Sequence, residues 1–536
     1  MSKEKTEEKS ILKKRPEEVF KKIGNKLFGE DKSLFNTVMI TTVICSVLCY
    51  FYEMVYGLGC PDTLCEGVHY YRNANYSTSQ ARWMLRFINE LAGKNVIIPI
   101  VTVLGYCLMI GISAFIILRM IHLKKKIPAV LITATMVSFP IILHHFAFLY
   151  MALAYSFSFL LVVLGVFFIR KRKIYGYILG TLCFLFMLGS YQAYIGAVSA
   201  FAIIMLIYDA LYEKSMKKYL SDFGFTALCG MVACLINQPF SRLMMMIFRT
   251  GTDARVSDFS VKSIFTNIGF SLTYSYKWFF SYFSDSAVLA RKYLYLGLLV
   301  VTVVLAVLAV IKKFKEKSTA GAITFIIGIL LLPLGMNLLL VLMPTNGMRD
   351  ILRYQYVLIF VLLFMLLEYT GEQVISHICY YASVLFIIGL LWGYVISANS
   401  TAMMYKLSYD HAIQQAMLMM EEIEDMDGYE KNVTHIIMGG SFPYDTVKER
   451  YPKIFRFAEQ EGGPVFWDNV YGMTNCRYHF FQDFLGVDAG WISDGEYLAA
   501  VQSEEYAKMP CWPEDGSIQM IDGSVVIKLW EGPPLW

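Results

Sequence analysis

The sequence predicts a polytopic α-helical membrane protein with a small α/β domain at its C-terminus, and three observations lead there. Of the 536 residues 57% are hydrophobic and only 17% charged, with mean hydropathy +0.50. A soluble domain carries about 25% charged residues, so most of this chain belongs in a bilayer. Apolar stretches close to the ~20 residues that a spanning helix needs recur along the chain. Charge is also partitioned: residues 399–536 hold 9 Lys and Arg against 22 Asp and Glu, and the remainder holds 38 against 21. The spanning part is therefore basic and the tail acidic.

The first element is a polar segment, 1–34. It opens MSKEKTEEKS, with no apolar run near the start, so no cleaved signal peptide is expected and the segment is placed in the cytoplasm. Within it EEVFKKIGNKLF (17–28) puts Val19, Phe20, Ile23, Leu27 and Phe28 on one face and lysines opposite. That pattern suits either a helix lying on the inner membrane surface or a solvated tether. About 11 transmembrane helices follow, at 35–55, 96–118, 127–143, 147–169, 175–190, 192–211, 223–247, 291–311, 320–343, 353–368 and 376–397. Turns are expected at HH (144–145) and GSYQAY (189–194). With the N-terminus inside, RMIHLKKK (119–126), RKRK (170–173), YEKSMKK (212–218) and KKFKEK (312–317) fall on the cytoplasmic side, as the positive-inside rule asks. The spanning domain is thus 35–397, with outer loops 56–95 and 248–290, and an odd span count places the tail, 398–536, outside. In the tail YDHAIQQAMLMMEEIEDM (409–426) has helical periodicity, NVTHIIMGG (432–440) reads as a buried strand, and SIQMIDGSVVIKLW (517–530) as a hairpin turning at Asp-Gly.

Cys60, Cys65, Cys476 and Cys511 fall in the outer segments. An even number in an oxidising compartment suggests two disulfides, one of them a Cys60–Cys65 ring. Thiols or a metal pair remain alternatives, although no second ligand pair of suitable spacing follows. The sequons at Asn75, Asn399 and Asn432 carry little weight.

Chemistry is densest in the first outer loop. GCPDTLCEGVHYY (59–71) places Asp62 and Glu66 at the mouth of the first span, and QARWMLRFINELAGKN (80–95) is amphipathic. Trp83, Phe87 and Leu91 suit the interface, and Arg82, Arg86 and Lys94 suit phosphate headgroups. A carboxylate close to a cation at this depth fits transfer from a lipid-linked donor, with the acid as general base and the arginine on the departing phosphate. An ordinary solvated loop with snorkelling arginines has the same composition. His144 and His145, then Tyr191, Gln192 and Tyr194, then Arg349, Asp350 and Arg353 in MPTNGMRDILRYQY (343–356) are further polar groups at outer span ends. Arg349 and Arg353, placed one helical turn apart, suit either phosphate or a pairing with Asp350. No Walker A loop, dinucleotide fingerprint or basic nucleic-acid surface is present, which excludes an ATP-driven pump and leaves no nucleic-acid partner.

These stretches resemble the type-II Gtr family of membrane glucosyltransferases. The Asp-bearing first loop, the ARW triplet (81–83), LGSYQAYIG (188–196), MPTNGMRDILRYQY and MPCWPEDGSIQMIDGSVVIKL (509–529) follow that family's order from about 35 to 530. The family often has GRW where this chain has Ala81. The resemblance implies a GT-C-like fold in the bacterial inner membrane and an inverting hexosyl transfer, with glucose the expected sugar. The donor is a polyprenyl-phosphate sugar on the outer face, and the acceptor a surface polysaccharide such as O-antigen or its lipid-linked precursor. It places Asp62 as the catalytic carboxylate that deprotonates the acceptor hydroxyl, with Glu66 as alternative or helper. Arg82, Arg349 and Arg353 fall at the donor phosphate, and Trp83, His144, His145, Tyr191, Gln192 and Tyr194 at sugar or acceptor. No cofactor is implied with certainty, though two acids can chelate a divalent cation. Membrane lipids are the remaining partner. A flippase or transporter for lipid-linked oligosaccharide, or a polymerase, would share the cavity; only a transferase turns over a polyprenyl-phosphate sugar.

Overall fold

The computed structural model describes residues 31–65, 74–93, 96–213, 215–252, 268–284, 291–342, 349–371, 373–442, 444–459 and 472–530. Nine helices among them are long and apolar enough to cross a membrane. Two shorter apolar helices, Ile174–Ser190 and Tyr354–Thr370, stand where the sequence places the other two spans. The segment at 17–28 lies outside the described residues.

The first span, α1 (Lys32–Tyr56), shows how the bundle is read from its sequence. Val38, Thr42, Ser46, Cys49 and Glu53 are buried on one stripe, while Ile40, Val43, Ile44, Val47, Leu48 and Phe51 are exposed. A short helix, α2 (Pro61–Cys65), and a longer amphipathic one, α3 (Trp83–Gly93), follow it. Next comes α4 (Pro99–Met120), packed between α1 and a later span. Its Gly111 permits close approach, since a Cβ there would meet the Thr42 hydroxyl oxygen of α1 at 2.4 Å.

The next block corrects the sequence reading. The turn expected at His144–His145 does not form. The chain runs as α5 (Lys126–Ser138), α6 (Ile141–Ala147) and α7 (Leu149–Ile169), so both histidines lie inside a short helix. Pro140 makes the first break. It pushes the preceding Phe139 to ψ 132°, outside the helical region. The second break is at Phe148, with φ −107° and ψ 64°. At the other expected turn the prediction holds: α8 (Ile174–Ser190) stops at an extended Tyr191, and a 3₁₀ turn, Gln192–Tyr194, leads into α9 (Ile195–Tyr212).

Beyond α10 (Met216–Ile247), the segment expected as an outer loop contains an aromatic helix, α11 (Ile268–Ser284), packed on α12 (Arg291–Lys315) and α13 (Thr319–Met336). Two 3₁₀ turns, Asp350–Leu352 and Tyr354–Val357, precede α14 (Leu358–Thr370). Arg349 and Arg353 therefore flank a tight turn, and do not sit one turn apart on a helix.

The last span is one continuous helix of 51 residues, α15 (Val374–Glu424). It absorbs the helix expected at 409–426 and runs unbroken through residue 398. The tail then forms a three-stranded sheet in the order β1-β3-β2, from β1 (Ile436–Gly439), β2 (Ile518–Ile521) and β3 (Ser524–Lys528). β1 and β3 are parallel, while β2 and β3 are the expected hairpin, its turn made by Asp522 and Gly523 with φ of 48° and 75°. Arg477 is fully buried under this sheet. It donates to the carbonyls of Ile436, Ala489 and Gly490, and burial lowers its pKa to about 10.

Candidate active site

The loop after α1 is fastened rather than free. The helix closes on Gly57 at φ 57°, where a Cβ would meet Pro99 at 2.3 Å. The Cys60 amide and the Thr63 hydroxyl then both donate to the Ala147 carbonyl, at 2.9 and 2.8 Å, and Thr63 Oγ1 accepts from the Leu149 amide at 3.2 Å. This pins α2, with the half-buried Asp62 in its first turn, to the break between α6 and α7. Glu66 lies outside the described residues.

The two histidines sit immediately before that break. His145 is buried, with Nε2 3.0 Å from the Ile351 carbonyl and Nδ1 2.6 Å from the Tyr106 hydroxyl. A carbonyl only accepts, so Nε2 donates and Nδ1 accepts from Tyr106. His145 is thus a strut joining α4, α6 and the 350–352 turn. His144 Nε2 lies 3.9 Å from Asp350 Oδ2. Asp350 in turn takes a 2.5 Å hydrogen bond from Arg353, whose guanidinium lies 4.8 Å from the Trp278 ring centre. Arg349 is exposed and has no acidic partner among the described residues.

Arg82 and Trp83 stand at the entry of α3. The residue before them, Ala81, has φ 61°, a left-handed conformation that disfavours any Cβ. That strain is the physical meaning of the glycine often found at this position in GRW. Arg82 lies 5.0 Å over the Tyr191 ring. Its Nε is buried without a partner, and no carboxylate pairs with it among the described residues. Trp83, expected at sugar or interface, is turned inward. It is 2% exposed, its indole N–H bonds Asn237 at 3.1 Å, and its ring fills the space a Cβ on Gly189 would need. The interfacial part of the expectation falls to Phe87 and Leu91, which are exposed; Lys94 lies outside the described residues.

Tyr191 packs edge-on against Tyr155 at 4.8 Å and against Tyr194 at 6.0 Å. The Tyr194 hydroxyl is buried with no hydrogen-bond partner among the described residues. Gln192 spends its amide on the Gln80 carbonyl at 2.9 Å, tying the 189–194 turn to the entry of α3. The structure therefore brings Arg82, Tyr191, Tyr194, His144, His145, Asp350 and Arg353 to one end of the bundle, beside the loop of Asp62.

Three groups there escaped sequence reasoning. Glu53 is 7% exposed at the end of α1, with a carboxylate oxygen that finds no partner among the described residues. A single acid within an otherwise apolar span was the available signal. Arg291, 5% exposed, bonds Glu459 of the tail at 2.6 Å, and Tyr282 of α11 lies nearby. Nothing local in the sequence announces these two.

Both expected disulfides are corrected. Cys60 and Cys511 carry thiols, so neither a Cys60–Cys65 ring nor a Cys476–Cys511 bridge exists. Cys476 is nevertheless disulfide-bonded. Its sulfur lies 3.3 Å from the Pro61 carbonyl oxygen, so the bond sits where the tail meets the first loop. The side chain of Cys65 lies outside the described residues. Among the described residues no cluster of three or more His, Cys, Asp or Glu is placed to hold a metal.

The family model of glucosyl transferase GtrII matches residues 68–367. The chain belongs to the GtrII glucosyl transferase family. It is thus a glycosyltransferase with several apolar, membrane-type helices, as the resemblance implies. No curated protein and no solved structure matches it. The GtrII match takes in Arg82, both histidines, the 189–194 turn and Arg353. Asp62 precedes it and the tail with Glu459 and Cys476 follows it.

Proposed function

We propose that this GtrII protein moves a hexose, glucose by family, from a polyprenyl-phosphate donor to a surface polysaccharide or its lipid-linked precursor, at the outer face of the bacterial inner membrane. The observation that carries this is the pairing of environments at one end of the bundle. A carboxylate loop is pinned at Ala147, and at the same end of the bundle lies a half-buried arginine, Arg82, over the Tyr191 ring, its Nε buried and with no carboxylate partner among the described residues. A cation partly withdrawn from water without an acid beside it suits a ligand that brings its own negative charge, as a phosphodiester does.

In this reading Asp62 takes the proton from the acceptor hydroxyl while that oxygen attacks the anomeric carbon. The bond from the anomeric carbon to the phosphate oxygen breaks, and polyprenyl phosphate leaves with the electron pair, its charge met by Arg82 and Arg349. One displacement inverts the anomeric centre. Arg353, balanced by Asp350, contributes position more than net charge. His145 and Trp83 act as supports, the one holding the 350–352 turn and the other aiming Arg82. Glu66 remains the second acid of the proposal, and with it any divalent cation.

Replacing Asp62→Asn is expected to reduce transfer from polyprenyl-phosphate glucose by at least a hundredfold, in the range that general bases contribute. Expression and thermal stability should match the parent. Full activity in that variant would remove Asp62 from the mechanism.

A further inference from the structure

A second polar nest lies next to the arginine site and is built from parts that the reading above does not use. Arg291, at the start of α12, is almost fully buried. One guanidinium nitrogen bonds Glu459 at 2.6 Å and another bonds the Ser397 hydroxyl of α15 at 2.7 Å, while the cation lies 5.7 Å from the Tyr394 ring centre. The Tyr394 and Tyr295 hydroxyls bond each other at 2.8 Å. Tyr282 of α11 stands beside Tyr295, ring centres 6.5 Å apart. Its hydroxyl is buried with no hydrogen-bond partner among the described residues, and the same holds for the Arg291 Nε. Buried donors left open in this way call for a partner.

The charge balance says what kind of partner. Arg291 is neutralised by Glu459, so the nest offers no net charge to a phosphate. It offers hydroxyls, one open guanidinium N–H and three tyrosine rings. Neutral hydrogen-bonding groups framed by aromatic faces suit an uncharged sugar ring, whose hydroxyls are donors and acceptors and whose C–H faces lie on aromatic rings. Arg82, with no such acid, suits the anionic ligand. The two groups are thus sorted by electrostatics.

We propose that Tyr282, Arg291, Glu459, Tyr295 and Tyr394 form the subsite for the carbohydrate acceptor, and that the tail completes it by supplying Glu459. The position of Glu459 is set from α15, where Thr401 Oγ1 accepts its backbone amide at 2.8 Å. This inference rests on the chain acting on a glycan, but not on the identity of the donor.

The test is direct binding to the purified full-length protein, using surface polysaccharide extracted from cells that lack the protein, with no donor present. The parent is expected to bind. Tyr282→Phe, which deletes a single oxygen, is expected to weaken binding about tenfold, the scale of one buried hydrogen bond. Glu459→Gln, which unbalances Arg291 without removing its acceptor, is expected to weaken it as well, while thermal stability of Tyr282→Phe stays that of the parent. Equal binding by the parent and Tyr282→Phe, or no polysaccharide binding by the parent, overturns the subsite. Failure to turn over polyprenyl-phosphate glucose would instead overturn the donor assignment and leave this result standing.

Discussion

Ala81 shows how much one dihedral can explain. Its φ of 61° is a glycine conformation held by an alanine, and such strain costs an L-residue on the order of 1–2 kcal/mol. It is tolerated because the turn delivers Arg82 to Tyr191 and Trp83 to its slot on Gly189. Ala81→Gly is therefore expected to relieve strain at constant geometry. Part of the gain is offset by the extra freedom of glycine in the unfolded chain. The net expectation is a rise in stability of up to about 1 kcal/mol, seen as a higher melting temperature in detergent with transfer activity unchanged. The triplet itself was visible in the sequence; that its first residue is strained, and its third buried, was not. Burial of Trp83 depends on Asn237, 154 positions along the chain, and no local pattern carries that partnership.

Elements were legible where the signal is local. Each expected span has an apolar helix at its position, because hydropathy over ~20 residues is a property of the stretch itself. The hairpin was legible for the same reason, since Asp-Gly supplies the φ values the turn needs. Failures came where two local signals compete. The polar pair His144–His145 looked like a turn, yet Pro140 and Phe148 break the chain on either side and leave the histidines helical. The acidic tail offers an element-scale prediction. The helix Asp494–Val501 begins with a capping box, in which Ser493 accepts from the Glu496 amide and the Glu496 carboxylate accepts from the Ser493 amide and hydroxyl. Those bonds hold the Glu496 carboxyl below the usual range. A depressed acid stabilises the fold above the unfolded-state value of about 4.3, and the contribution disappears as pH falls through the lower folded value. Glu496→Gln should accordingly flatten the acid limb of the stability profile below about pH 4, measured by thermal unfolding across pH. An unaltered acid limb would show the box to be energetically silent.

The whole molecule joins ends of the chain that the sequence keeps apart. The exposed apolar side chains of α1 and α15, among them Ile40 at 61% and Leu385 at 69%, are explained by lipid. The contacts that close the site run the other way, from tail to bundle: Cys476 at Pro61, Glu459 to Arg291, and the Tyr409 hydroxyl to the Gly59 carbonyl at 3.3 Å. None of these pairs lies close in sequence, so cysteine spacing led to two wrong disulfides while composition still led to the right class. A native disulfide typically contributes about 2–5 kcal/mol. Cys476→Ser is expected to lower the melting temperature by several degrees, and a reductant should lower the parent to the same value and leave the variant where it is.

The unbroken α15 sets a dimension. It meets the first loop at Tyr409 and continues as rigid helix to Glu424. At ~1.5 Å per residue, that stretch runs on for about 22 Å, with Ala412, Ala416, Met419 and Ile423 buried along it. The tail folds back along this rod, with Glu459 bonded to Thr401 and Arg291 and Cys476 at Pro61, so the helix acts as a ruler that fixes where the tail's side chains meet the bundle.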